Sequence, residues 1–223
     1  QDELKNVSLA ELCKRLEAAR QQPDNADRID LDAALRYLTS PLEDTQTEQT
    51  VDALLHLARN FHYAARPAEC LRSASYAARL AKGLEDKSQL YRARVLEGVA
   101  LSELGRFAEA TVAHVEGWSL ARVMDDVQRE IWAIGNLGAL CFGMGQWSAA
   151  IRYFEKARSM AEEYGFADLE FHSRTNLADC AVQLRDPVGG LAALSQFRTE
   201  TPETRPQMSV SANGLNTLSR LHL

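Results

Sequence analysis

Between residues 133 and 161 the chain reads AIGNLGALCFGMGQWSAAIRYFEKARSMA. Apolar and small side chains recur there at three- and four-residue steps, first before Gly145 and then again after it. Polar residues fill the opposite faces, so the pattern predicts two amphipathic helices folded back on each other about that glycine. The same pattern returns along the chain at a spacing of 40 residues, as from Gly105 to Gly145. In this register Ala65, Gly105, Gly145 and Arg185 are turn positions, and Pro67, Phe107, Trp147 and Pro187 follow two residues on. Cys70, Ala110, Ala150 and Gly190 open the packing face of each second helix. Ala58, Gly98, Gly138 and Ala178 mark the closest approach of each first helix to its partner. Four copies in phase, without insertion, predict an array whose units bury a core only by stacking on neighbours.

Taken in order, Ser8 is placed to cap a first helix with Leu9, Leu12, Leu16 and Ala19 on one face. Pro23 and Asn25 break it, and a second helix carries Ala34, Leu35 and Leu38 inward before Ser40-Pro41. This hairpin, residues 1–41, is off the register and reads as a terminal cap or degenerate repeat. Residues 42–50 are polar and read as a linker. Four repeats fill residues 51–200, with helix pairs predicted at 51–64 and 68–82, 88–104 and 108–123, 127–144 and 148–164, and 169–184 and 188–198. Asp86, Asp126, Asp168 and Asp186 stand where each can cap a helix, with Pro187 at a first helical position. Residues 201–223 read as a loop and the first helix of a truncated fifth repeat, with Leu215, Leu218 and Leu221 on an uncovered face. That face predicts either a homodimer through the C-terminal helix or a disordered end. No segment favours a strand, so the class is all-α.

Composition narrows the function. The 223 residues are 46% hydrophobic, an ordinary globular proportion, and the net charge of −6 without a dense basic stripe argues against nucleic-acid binding. No apolar run is long enough to span a bilayer, and no signal-peptide pattern opens the chain. Cys13, Cys70, Cys141 and Cys180 have neither a CxxC pairing nor ligand-like spacing to histidine, which suits reduced thiols in a cytoplasmic protein. No metal or other cofactor is called for. A start at Gln1 and an end inside a predicted helix read as a piece of a longer protein.

Paired helices with small residues at the crossing and a Gly-x-aromatic turn resemble the tetratricopeptide repeat. Asn136-Leu137-Gly138, Gly145-Gln146-Trp147, Ala150-Ile151, Phe154 and Ala157 carry the likeness, with Gly98, Leu101, Gly105-Arg106-Phe107, Ala110 and Gly117 in the repeat before. The 40-residue period exceeds the usual 34 and looks like the longer variant of kinesin light chains, polarity adaptors and bacterial peptide-sensing regulators. The resemblance covers residues 51–197; Pro67, Pro187 and Gly190 depart from it in the outer repeats. It implies a right-handed superhelical stack of antiparallel helix pairs, an α-solenoid, whose first helices line a concave groove.

Counting from the crossing residues, the groove-facing rings are Asp52, Arg92, Trp132 and His172; then Leu55, Val95, Gly135 and Thr175; then His56, Leu96, Asn136 and Asn176; then Arg59, Val99, Ala139 and Asp179. Asparagine has both a donor and an acceptor, so Asn136 and Asn176 can pair with an extended peptide backbone in either direction. In long-repeat relatives asparagines at the matching position form such a ladder. The competing reading is that each caps a neighbouring carbonyl or bridges adjacent repeats. Trp132 beside the hollow left by Gly135 suits a side chain or planar group, although a helical tryptophan also suits an inter-repeat core. Arg59, Arg92, Arg94 and Arg174 can attract an acidic peptide or a carboxylate, or can pair with Glu97, Asp179 or Glu130 on solvated faces.

Catalysis lacks a constellation. No HExxH, GxSxG or phosphate loop occurs, and Gly143-Met144-Gly145 lacks a preceding strand. The expectation is therefore a non-enzymatic module that binds a protein or peptide segment in its groove. It would be the sensory or docking part of a larger bacterial signalling protein, with a cyclic-dinucleotide synthase or DNA-binding domain as output by analogy alone. A pure assembly or dimerisation scaffold is the alternative, and an enzyme a distant third.

Overall fold

The computed structural model describes residues 7–21, 30–39 and 47–194, and every element among them is helical. In order these are α1 (Leu9–Gln21), α2 (Leu31–Leu38), α3 (Thr47–Tyr63), α4 (Pro67–Ala81), α5 (Ser88–Glu103), α6 (Phe107–Val123), α7 (Val127–Gly143), α8 (Trp147–Tyr164), α9 (Ala167–Gln183) and α10 (Pro187–Leu194). Helix α3 begins at Thr47, so residues 47–50 of the expected linker are its first turn. Its remaining residues, and the expected loop, fifth-repeat helix and C-terminal dimer contact, lie outside the described residues. The helices divide into two compact units, one up to Asp125 and the other from Asp126 on.

Turns fall where the register puts them. Ala65, Gly105, Gly145 and Arg185 have φ of 53°, 72°, 72° and 56°. Behind each, the next N–H reaches back across the helix end: Arg66 to the Phe61 carbonyl at 2.9 Å, Arg106 to Leu101 at 2.8 Å, Gln146 to Cys141 at 2.9 Å and Asp186 to Ala181 at 2.9 Å. These bonds satisfy carbonyls that a helix end otherwise leaves open. Glycine takes the left-handed conformation without steric cost in the two middle repeats, whereas Ala65 and Arg185 bear it with a Cβ. A second set of left-handed residues, Asp125 (52°) and Gly165 (74°), closes α6 and α8.

In the first unit α3 packs on α4, α4 on α5 and α5 on α6, and α1 and α2 both pack on α3. Leu12 and Leu16 of α1 and Leu35 and Leu38 of α2 join Leu54, Leu57 and Phe61 in one core. Ser8 Oγ accepts from the Glu11 N–H at 3.2 Å, and Asp30 Oδ1 caps α2 by accepting from Asp32 and Ala33. The Asn60 Nδ2 group donates to the carbonyls of Leu16 and His56, both at 2.9 Å. In the second unit α7 packs on α8, α8 on α9, and α9 on α10. Asp126 caps α7 through the Arg129 N–H, and Asp186 accepts from Gly189. Asp168, expected as a cap, lies inside the first turn of α9 instead.

Helix crossings depend on matched sizes. A Cβ on Gly98 would come within 2.4 Å of the His114 ring, and one on Gly138 within 2.6 Å of the Phe154 ring. In the α3–α4 pair, where Ala74 takes the ring's place, Ala58 fits and both are fully buried. Cys70, Cys141 and Cys180 are buried and Cys13 half-buried, all as free thiols. Burial pushes the Cys70 thiol up to about 12.

Candidate functional site

First helices of neighbouring repeats lie side by side within each unit, and their side chains meet across an offset of about one repeat. In the first unit Arg92 Nη1 lies 3.0 Å from Asp52 Oδ1, and His62 Nδ1 lies 3.0 Å from Glu103. Arg94 bonds both Glu97 and Glu116. The wall of α3 and α5 therefore presents paired charges rather than open cations. Arg59 is half-buried on α3, part of this unit.

In the second unit the wall is made by α7 and α9. The Trp132 indole is 40% exposed. Its centroid lies 5.1 Å from that of the His172 ring, at a tilt of 48°. His172 is exposed to water, yet burial by surrounding protein atoms pushes its imidazole below the usual histidine value. Exposed but crowded is what a recessed surface produces. One turn along, Asn136 and Asn176 are half-buried. Neither side chain hydrogen-bonds to protein among the described residues, in contrast to Asn60. The reading in which each caps a neighbouring carbonyl is not what the structure shows. A Cβ on Gly135 would meet nothing within 4 Å, so the space over that residue is open. Asp179 is half-buried, and its charge adds to burial in pushing the Cys180 thiol up to about 11.

Some expected wall positions prove to be core. Leu55 is 1%, Leu96 8% and Thr175 3% exposed. Adjacent positions of a helix stand about 100° apart, so these two rings lie at the edges of the packed face and their burial differs from repeat to repeat. The Thr175 hydroxyl turns back to the Phe171 carbonyl at 3.0 Å. Arg174, read from sequence as an attractor of acidic ligands, is 7% exposed and lies 2.7 Å from Glu170. Its i−4 carboxylate was the signal available in the sequence.

The structure thus brings Trp132 of α7 against His172 of α9, with Gly135 and Asn136 one turn further along α7 and Asn176 and Asp179 one and two turns further along α9, while Arg59 and Arg92 belong to the first unit. Two concavities of the second unit lie elsewhere, one at the Gly145–Trp147 turn with Arg152 and one among Ile151, Arg158, Leu177 and Gly189. Both are open, and neither reaches Trp132 or the two asparagines. Among the described residues, no group of three or more His, Cys, Asp or Glu could hold a metal ion, and no helix is long and apolar enough to cross a membrane.

Helix pairs stacked in sequence, with equivalent side chains touching one repeat apart, define an all-α helical-repeat protein. Solved structures share this fold. One is a Rap protein in complex with competence and sporulation factor, at 14% identity and a TM-score of 0.64. That match covers 87% of this chain but only 57% of the Rap chain. Another is BtubC (BKLC) from P. vanneervenii, at 15% identity and a TM-score of 0.66, covering 94% of this chain and 98% of that one. No protein-family model and no curated protein sequence matches.

Proposed function

We propose that this chain is a peptide- or protein-binding module of the long tetratricopeptide type, with its ligand along the wall of α7 and α9. One observation carries the reading: two asparagines at equivalent places, half-buried and without hydrogen bonds to protein among the described residues, follow one turn along from an exposed indole and its histidine neighbour, with open space over Gly135. Half-buried amides gain most from a ligand backbone that supplies both a carbonyl and an N–H. The indole offers a large apolar surface for one side chain. That a fold neighbour, the Rap protein, is found in complex with competence and sporulation factor supports a binding role for this architecture. In this proposal the chain is non-enzymatic and cytoplasmic, a sensory or docking segment of a larger bacterial regulatory protein whose output domain lies elsewhere.

The test is selection of a random nine-residue peptide library on the immobilised chain. Binders should be lost on Gly135→Leu, which fills the open space without touching the fold's own contacts, and circular dichroism should be unchanged. Failure to select any peptide, or binders that hold Gly135→Leu equally well, would remove the wall as the site.

A further inference from the structure

We infer that the segment this wall accepts is a basic one, with an arginine that stacks its guanidinium on the Trp132 indole. The inference rests on the reading of α7 and α9 as a peptide site. These two helices carry four carboxylates, Glu130, Asp168, Glu170 and Asp179, against two arginines, Arg129 and Arg174. Both arginines are answered within the chain, Arg129 by Asp126 and Arg174 by Glu170 at 2.7 Å. Asp168 is not. It is exposed and makes no hydrogen bond or ion pair among the described residues. It stands one turn before His172, and positions four apart share a helix face. Asp179, two turns after His172, puts a second carboxylate on the same stretch of α9. The charge left open along this wall is therefore negative, the opposite of what its arginines suggest in the sequence.

The indole supplies the second half of the argument. Its face is the negative end of the ring quadrupole and attracts a cation more strongly than the face of tyrosine or phenylalanine. Elsewhere the chain covers aromatic faces with its own arginines, Arg66 at 4.8 Å from the Phe61 centroid and Arg79 at 4.4 Å from that of Tyr76. Trp132 is 40% exposed and has the His172 ring as its neighbour, with no arginine or lysine of the chain over it among the described residues. Burial holds the His172 imidazole below its usual value, so at neutral pH that neighbour brings no positive charge against a cation.

Three classes of ligand side chain can be compared on this surface. An apolar one would use the indole but leave Asp168 unanswered. An acidic one would meet carboxylates of its own sign. A guanidinium is planar, so it can lie flat on the indole and still donate to a carboxylate at its edge. The open space over Gly135, one turn along α7, leaves room for the methylene stem.

The experiment compares four nine-residue peptide libraries on the immobilised chain, random except for a central position fixed as arginine, citrulline, leucine or glutamate. Citrulline keeps the shape of arginine without its charge. The arginine library should be retained roughly two- to fivefold more than the citrulline library, the worth of one cation–π contact at a partly exposed ring. The glutamate library should be retained least. That preference should vanish in Trp132→Leu and shrink in Asp168→Asn, with circular dichroism unchanged in both. Equal retention of the arginine and citrulline libraries overturns the inference. So does a preference that survives Trp132→Leu, because the attraction would then come from the net charge of −6 as a whole. Libraries retained without preference but lost on Gly135→Leu overturn it too, while leaving the wall as the site. If no library is retained, both readings fall.

Discussion

Gly135 and Gly138 lie one turn apart on α7 and meet opposite surroundings. A Cβ at 135 enters open space, whereas one at 138 meets the rigid Phe154 ring at 2.6 Å. Alanine at 135 should therefore leave stability unchanged or raise it by up to about 1 kcal/mol through helix propensity. Leucine at 138 should cost roughly 1–3 kcal/mol by overpacking. Thermal melts of the two variants check this, and an unchanged melting temperature for Gly138→Leu would refute the crossing. Both glycines are given roles by the sequence. The 40-residue register identifies Gly138 as a crossing residue because Gly98 shares its place, and the groove-facing count makes Gly135 a hollow. How far that hollow stays empty depends on neighbouring helices, which no pattern along one helix records.

At the scale of elements, the α5–α6 crossing carries a liability that α7–α8 lacks. His114 occupies the place of Phe154, is 3% exposed, and its Nδ1 has no hydrogen-bond partner. Burial pushes its imidazole from 6.5 down to about 4. Because the folded form binds its proton less tightly than the unfolded form, the stability tied to neutral His114 is fully present above pH 6.5. It is lost as pH falls from there through 4. The full difference is on the order of 3 kcal/mol. His114→Phe should therefore hold its melting temperature better than the parent between those limits, and parallel profiles would contradict the account. Helix ends illustrate what was legible at this scale. The four turns after the first helices follow from the register, and φ bears out each one. The left-handed turn at Asp125 repeats at Gly165 but not at Glu85, so it left no regular signal in the register. Asp168 missed its expected cap because α9 starts at Ala167, ahead of the expected start at 169.

For the molecule as a whole, the all-α repeat was legible because the spacing of small residues, turn residues and aromatics all return the same 40-residue step. The wall was partly legible. Trp132 and His172 fall in one ring and touch, and Asn136 and Asn176 fall in one ring and make no hydrogen bond to protein among the described residues. The burial of Leu55 and Thr175 was not, because it depends on how neighbouring helices pack. Nor did charge patterning reveal that Arg92 closes on Asp52 from the next repeat, which turns a candidate anion site into a paired surface. The central claim is that a ligand segment lies on the wall of α7 and α9. The chain's three tryptophans sit in different settings, Trp118 on α6, Trp132 on the wall and Trp147 at the start of α8. Labelling with 5-fluorotryptophan and assigning the resonances by single Trp→Phe variants gives each a separate ¹⁹F signal. On titration with a library-selected peptide, the Trp132 resonance should move to saturation while those of Trp118 and Trp147 stay in place. Movement of Trp118 or Trp147 with Trp132 unchanged would contradict the account.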